Sequence, residues 1–309
     1  MIPPPVAPVP EGVHRPLWSV MIPTYNCANY LRQTLESVLA QDPGPEQMQI
    51  EVIDDCSTND DPEAVVKEVG KGRVSFYRKH KNEGAIANFN TCIDRSRGHL
   101  VHILHGDDWV LPGFYSTVTS KASICERARI FFTRTFLVDE IGEIEYLNER
   151  VPQLEEVNQD VSQLTHMNKI FTPGVVVRRS AYENHGAFLQ ALVHTADWEM
   201  WVRLIQAAGG VYVNRPLACY RFFKANDSNR LIRGGLNIDD MLRLSELLKH
   251  RVRDFNEQAF YTSVSGMART QVQRFKAMQD EGSYRENLKR YRALTLKMGW
   301  IPFLKSFRL

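Results

Sequence analysis

The stretch VHILHGDDWVLPG, from Val101 to Gly113, ends an apolar run in two adjacent carboxylates, Asp107 and Asp108, followed by a Trp and a Leu-Pro-Gly turn. Neighbouring carboxylates repel each other, so such a pair calls for water or a cation. Carboxylate oxygens suit Mg²⁺ and Mn²⁺, which one or two acids commonly hold together with the phosphates of a substrate. Two further turns offer polar groups of a matching kind. IPTYN, Ile22 to Asn26, presents the backbone at Pro23, the Thr24 hydroxyl and the Tyr25 ring. A flat aromatic of this sort can support a nucleobase by stacking, worth about 1–3 kcal/mol. IDDCSTND, Ile53 to Asp60, brings Asp54 and Asp55, able to accept from a base N–H or a ribose hydroxyl. Ser57, Thr58 or Asp60 in the same turn can cap a helix, and both uses are expected there. Alone, the Asp107–Asp108 pair reads more simply as a cap for a helix starting near Pro112. Three polar turns in one domain favour a cation and a diphosphate.

These turns need elements to position them. WSVMIP (Trp18 to Pro23), IEVIDD (Ile50 to Asp55), VSFYR (Val74 to Arg78) and LVHIL (Leu100 to Leu104) read as strands. Helical spacing predicts helices over Asn29 to Ala40, Pro62 to Val69 and Gly84 to Arg95. Alternation with short connections argues for an α/β domain with a mostly parallel sheet, whose ligands sit beyond the carboxyl ends of the strands. All three turns fall at such ends. Further on, Arg129 to Val138 and Gly174 to Arg179 read as strands, and Asn148 to Thr165 as a polar, mobile loop. His194 to Gly210 reads as an amphipathic helix, and VYVN and LACYRFF as two short strands. From Gly234 to about Lys297 the pattern is helical. The boundaries predicted are a Pro-rich leader over 1–16, a catalytic domain over 17–225 and a helical extension over 226–309.

Composition narrows the function classes. A net charge of +2 over 309 residues gives no nucleic-acid signal. Met241 to Leu309 holds 14 Lys and Arg against 6 Asp and Glu, a balance of +8 that leaves about −6 for the rest. Five scattered Cys suggest reduced thiols and a cytoplasmic protein. The segment MIPPPVAPVPEGVHRP lacks the basic start and apolar core of a signal peptide. Basic residues among Met241, Leu242, Leu244, Leu247 and Leu248, and Trp300, Phe303 and Phe307 beside Lys305 and Arg308, suit either packing on the domain or a second subunit, or peripheral contact with the inner face of a membrane.

VMIPTYNCANYLRQTLESVLAQ, EVIDDCSTND, NEGAIANFN, LHGDDWVLPG and ADWEMWVRL occur in that order. Over about Ser19 to Phe223 this resembles the family 2 glycosyltransferases of the GT-A fold. The resemblance implies a nucleoside-diphosphate sugar donor, a UDP-sugar in preference to dTDP or GDP forms, and Mn²⁺ or Mg²⁺. It also implies inverting transfer to a hydroxyl of a sugar or lipid-linked sugar, in polysaccharide or glycoconjugate synthesis. Pro23, Thr24 and Tyr25 match the first nucleotide-contacting turn, and Asp55, with Asp54 beside it, matches the acid on the base edge. Asn82 and Gly84 lie where the family approaches base and ribose. Asp107 matches the ribose- or phosphate-side acid of the DxD-like motif, Asp108 the metal ligand, and Asp197 the catalytic base.

Three positions depart from the pattern. Cys56 stands where a Gly is usual, His105 stands where an acid is common, and Phe222, Phe223 and Lys224 follow Tyr220-Arg221 where a His is frequent. Arg221 or Lys224 then becomes a candidate to neutralise the diphosphate. Asp197 lies near a helix start, where the dipole favours an ionised carboxylate, and Trp198 or Trp201 could line an acceptor pocket. The spacing of His102 and His105 can suggest a metal site, but such a pair reads more simply as structural or as support around a site. The competing classes are a phosphoacceptor receiver, which would need a later Lys and a shorter chain, and a non-catalytic glycosyltransferase-like scaffold acting through its helical tail. Donor hydrolysis with and without Mn²⁺ separates enzyme from scaffold.

Overall fold

A computed structural model describes residues 1–224 and 226–299, so the aromatic and basic residues of the last segment, Trp300 to Arg308, lie outside the described residues. The chain divides into two compact units, one built from 1–161, 169–191 and 196–221 and the other from 162–168, 192–195 and 222–309.

The first unit opens with β1 (Trp18–Thr24), α1 (Ala28–Leu39), β2 (Met48–Asp54), α2 (Pro62–Gly70), β3 (Ser75–Arg78), α3 (Ala85–Arg95) and β4 (Leu100–Ile103). It continues with β5 (Trp109–Val110), α4 (Phe114–Ile124), β6 (Ile130–Val138), β7 (Ile144–Leu147), β8 (Val175–Arg178), α5 (Arg179–His185), α6 (Ala196–Ala208) and β9 (Gly210–Arg221). The strand order is β3-β2-β1-β4-β8-β6-β9-β5, with β7 paired to β6. β1 to β4, β6 and β9 share one direction, so the sheet is mostly parallel; β5, β7 and β8 run against it. β1 is buried along its whole length, as a strand covered on both faces must be. Val20, Ile22 and Val52 meet a core that includes Leu31, Leu35 and Val38 of α1, a one-sided helical spacing.

Two expectations need correction. The loop over 148–165 is anchored: Val151, Leu154, Val161 and Leu164 are buried, and 152–154 and 162–164 form single 3₁₀ turns. Polar residues dominate that stretch, but four buried apolar side chains tether it. VYVN and LACYR form one strand, β9, which stops before Phe222, because the register shift against β6 around Arg134 absorbs the irregularity and lets Pro216 stay within the ladder. In the Pro-rich leader, Val6 is buried and Pro4 O accepts from Ala187 N at 2.8 Å.

The second unit carries α7 (Asp227–Arg233), α8 (Leu236–Arg251), α9 (Glu257–Ala277) and α10 (Glu281–Lys297). Asn226, Asn256 and Asp280 cap α7, α9 and α10, accepting from Asn229 N, Ala259 N and Ser283 N. No helix among the described residues is long and apolar enough to cross a membrane. Asp240 of α8 is fully buried, and its Oδ2 accepts from His194 N, Thr195 N and the Thr195 hydroxyl at 2.8, 2.8 and 2.9 Å. Asp240→Ala would strand three donors, the two of Thr195 buried and that of His194 partly so. It is expected to lower stability by about 3 kcal/mol or more in chemical denaturation.

Candidate active site

Backbone hydrogen bonds bring the carboxyl ends of β1 to β4 together. Gly106 N donates to Pro23 O, Asp55 N to Thr24 O and Lys79 N to Asp54 O, at 3.0, 2.9 and 2.9 Å. A Cβ on Gly106 would sit 3.0 Å from Cys27 Sγ and 3.1 Å from Thr24 Oγ1, so glycine lets the HGDD turn lie this close to the TYN turn without crowding those side chains. The Thr34 hydroxyl of α1 is within hydrogen-bond distance of Gly106 O and Asp108 O, 3.0 and 2.7 Å away. Burial and the charge of Asp107 push the Cys27 thiol up to about 12, so it stays protonated beneath the turn.

In this frame His105, Asp107 and Asp108 each present one ligand atom, all within 4.8 Å of one another. Asp108 is fully buried; its Oδ1 accepts from Arg221 N at 2.8 Å, and Oδ2 lies 3.2 Å from His105 Nδ1. That second approach is close but badly directed, and neither Asp108 Oδ2 nor His105 Nε2 makes a hydrogen bond although both are buried. Buried polar atoms without partners are costly and rare. Such atoms occur elsewhere among the described residues as well, but here they sit with two carboxylates and an imidazole, a donor set that fits a divalent cation. Burial, then the neighbouring Asp108 charge, pushes Asp107 up to about 7. Burial also raises Asp108, against the pull of His105. Burial disfavours the charged form of His105, but Asp108, Asp107 and Asp197 outweigh it and raise its pKa. Phe89 of α3 holds the His105 ring in a parallel stack, centroids 4.8 Å apart.

The acids of the second turn are committed to the protein. Asp54 is fully buried and accepts from Ser57 N, the Ser57 hydroxyl and Arg78 Nε. Asp55, 2% exposed, accepts from Glu83 N and Gly84 N and pairs with Lys79 Nζ at 2.9 Å. Gly84, with φ 89°, starts α3, and Asn82 Oδ1 accepts from its N–H at 3.1 Å. The expected cap at Ser57, Thr58 or Asp60 is instead Asp61, which accepts from Ala64 N. Asp60 reaches across to Ala28 N at 2.7 Å and tethers the start of α1, while Ser57 is taken by Asn26 N and Asp54. Tyr25 projects from this arrangement 44% exposed. Cys56 has φ 64°, a left-handed conformation that favours glycine. Cys56→Gly is therefore expected to stabilise the fold by about 1 kcal/mol in thermal or urea unfolding, despite losing a long contact of Sγ with His80 O.

Asp197 is half-buried at the second residue of α6. Its Oδ1 accepts from Trp198 N at 2.7 Å, and its Oδ2 lies 3.5 Å from the Thr172 hydroxyl. Its charge is near enough to His105 to help raise the imidazole pKa, after Asp108 and Asp107. Trp198 and Trp201 are both buried in the core, so neither lines a pocket. β4 ends at Ile103, so His102 and His105 part company. His102 is buried, bonded to Tyr115 Oη and Pro173 O, with burial lowering its pKa to about 4.

Arg221 is 3% exposed and donates to Asp107 O, Glu140 O and Gln33 Oε1. Its guanidinium sits over the Tyr30 and Trp109 rings, and these three bonds take three of its five N–H groups, so it braces the turn. Phe89, Thr34 and Lys79 went unread in the sequence, since their roles come from contacts made across the fold.

A glycosyl transferase family 2 model matches residues 19–186, more than half of the chain. An uncharacterised protein of Mycobacterium tuberculosis is 28% identical over 241 residues, covering 74% of this chain and 75% of that one. The chondroitin synthase of Pasteurella multocida is 23% identical over 67% of this chain, which spans only 21% of it. Among solved structures, S. aureus TarS 1–349 in complex with UDP-GlcNAc superposes with a TM-score of 0.56 at 14% identity, covering 91% of this chain and 92% of that one. The mannosyltransferase PcManGT from Pyrobaculum calidifontis, with GDP-Man and Mn²⁺, gives 0.57 at 14% identity over 96% and 90%. The turns gathered at the carboxyl ends of a mostly parallel sheet, the acid pair and the matched family model lead to one conclusion: the chain has the GT-A fold and belongs to glycosyl transferase family 2.

Proposed function

We propose that this protein transfers a sugar from a nucleoside-diphosphate donor, a UDP-sugar in preference, to an acceptor hydroxyl with inversion at the anomeric carbon. The observation that carries the reading is the gathering of His105, Asp107 and Asp108 at the strand ends, their ligand atoms within 4.8 Å of one another and His105 Nε2 buried without a hydrogen bond. Asp107 and Asp108 would hold a Mn²⁺ or Mg²⁺ ion, which when bound supplies charge neutralisation on the departing diphosphate. Tyr25, exposed next to the Asp55 turn, offers its ring to the base, with Pro23 and Thr24 shaping the backbone there. Asp55 holds the Asn82–Gly84 loop in place, so this loop forms the other wall of the nucleotide site. Asp54 keeps the turn closed rather than touching the ligand. Asp197 takes the proton of the acceptor hydroxyl as it attacks, because an un-ionised hydroxyl is a poor nucleophile.

The acceptor is a sugar or lipid-linked sugar, in polysaccharide or glycoconjugate synthesis. Exposed Arg and Lys on α9 and α10, such as Lys276, Lys289 and Arg292, suit a peripheral contact with an anionic cytoplasmic membrane face or a second copy of the chain. A thermal-shift screen of UDP, dTDP and GDP with and without Mn²⁺ tests the reading. A ligand that binds only the folded state raises its stability by mass action. UDP with Mn²⁺ is expected to give the largest gain, and no gain from any nucleotide would leave the scaffold reading in place.

A further inference from the structure

With both Trp of α6 buried, the rings available to a sugar lie elsewhere. Leu137 of β6 is the register partner of Tyr146 on β7 and of Tyr220 on β9. Register partners on neighbouring strands project to one face of a sheet. Phe171 lies with them: its ring stacks on Tyr220 with centroids 5.4 Å and planes 29° apart, and meets Tyr146 edge-on at 6.5 Å. Leu137 is buried, Phe171 and Tyr220 are half-buried, and Tyr146 is 49% exposed.

This patch joins the candidate site at two points, each one peptide away. Phe171 precedes Thr172, whose hydroxyl faces Asp197, and Tyr220 precedes Arg221, whose N–H donates to Asp108. Its surface is aromatic, and Lys169, two residues before Phe171, is paired with Glu149 at 2.8 Å; ring faces of this kind suit the C–H face of a pyranose. Glu143 and Glu145, both exposed on the neighbouring hairpin, add negative charge at its border. That charge disfavours an anionic polymer. We propose that Tyr146, Phe171 and Tyr220 form an acceptor subsite that stacks a neutral pyranose ring beside Asp197. The proposal rests on the reading of Asp197 as the base that faces the acceptor.

The test uses the full chain, saturated with UDP and Mn²⁺. Maltotetraose, cellotetraose, chitotetraose and mannotetraose, with an anionic hyaluronan tetrasaccharide, are titrated by saturation-transfer NMR. At least one neutral tetrasaccharide is expected to bind in preference to hyaluronan. Tyr146→Ala and Phe171→Ala are each expected to weaken it about tenfold, the loss of one modest contact. Tyr146→Phe and Phe171→Tyr should keep wild-type binding, because they keep the ring. The thermal shift with UDP and Mn²⁺ should be unchanged in all four variants, which also reports that they fold. A purely packing role would lower the melting temperature of the Ala variants and leave their sugar affinity intact, and that outcome overturns the proposal. So does preference for hyaluronan, or a wild-type protein that binds UDP but none of the neutral sugars. A wild-type protein that shows no nucleotide shift at all overturns the glycosyltransferase reading first, and the subsite with it.

Discussion

Replacing Asp197 by Asn is expected to lower the transfer rate by about a hundredfold to ten-thousandfold while leaving the thermal shift with UDP and Mn²⁺ unchanged. The amide keeps the size of the side chain and can still accept at Oδ1 from Trp198 N, so the start of α6 should hold its shape. What is lost is the ability to take a proton from the acceptor hydroxyl. The measurement is the initial rate of sugar transfer at saturating donor, run beside the binding assay. A variant that transfers within a few-fold of wild type would sink the assignment of the base; one that also loses nucleotide binding would show that Asp197 organises the donor site instead.

Asp108→Asn is expected to remove the cation-dependent part of nucleotide binding, and the wild-type dependence on pH should follow from the same cluster. Asp107 and Asp108 are raised above the usual carboxylate range, chiefly by burial, and His105 above the usual imidazole range by the acids around it. A group whose folded pKa is raised binds its proton more tightly in the folded chain than in the unfolded one. The stability it contributes is therefore present at low pH and lost as pH climbs through the folded value. All three groups act in this direction. With Asp107 near 7, the cation-free cluster should lose stability between about pH 4 and 7.

A divalent cation must displace the Asp107 proton, and that step alone should lower its affinity by up to about tenfold for each pH unit below 7. The gain in melting temperature on adding Mn²⁺ should be large at pH 8 and small at pH 5, and Asp108→Asn should flatten the difference. An equal gain at both pH values would mean that the cation binds away from these residues.

The short sequence patterns were enough for the elements that bear on this chemistry. The apolar run WSVMIP and the spacing of Leu31, Leu35 and Val38 report burial directly, because side-chain periodicity is a property of the local chain. The order of TYN, DD and HGDD after successive strands likewise implied that they meet, since parallel strands share their carboxyl ends. β5 is two residues long and β7 exposes most of its side chains, so neither has a pattern to read.

What each polar side chain does was decided by tertiary contacts. Asp54, Asp55 and Asp60 are adjacent or nearly so in the chain, yet one closes its own turn, one holds the loop before α3 and one tethers α1. Arg221 looked like a free cation, and three acceptors from distant segments have claimed it. His105 looked like a lost acid, and the stack on Phe89 and the approach to Asp108 hold its ring within the cluster of acids. The amino-acid sequence by itself determined the family, the sheet and the place where its acids converge. Only the folded chain decided which of those acids stay available, because a hydrogen bond is set by distance and direction in space, which residue spacing along the chain does not encode.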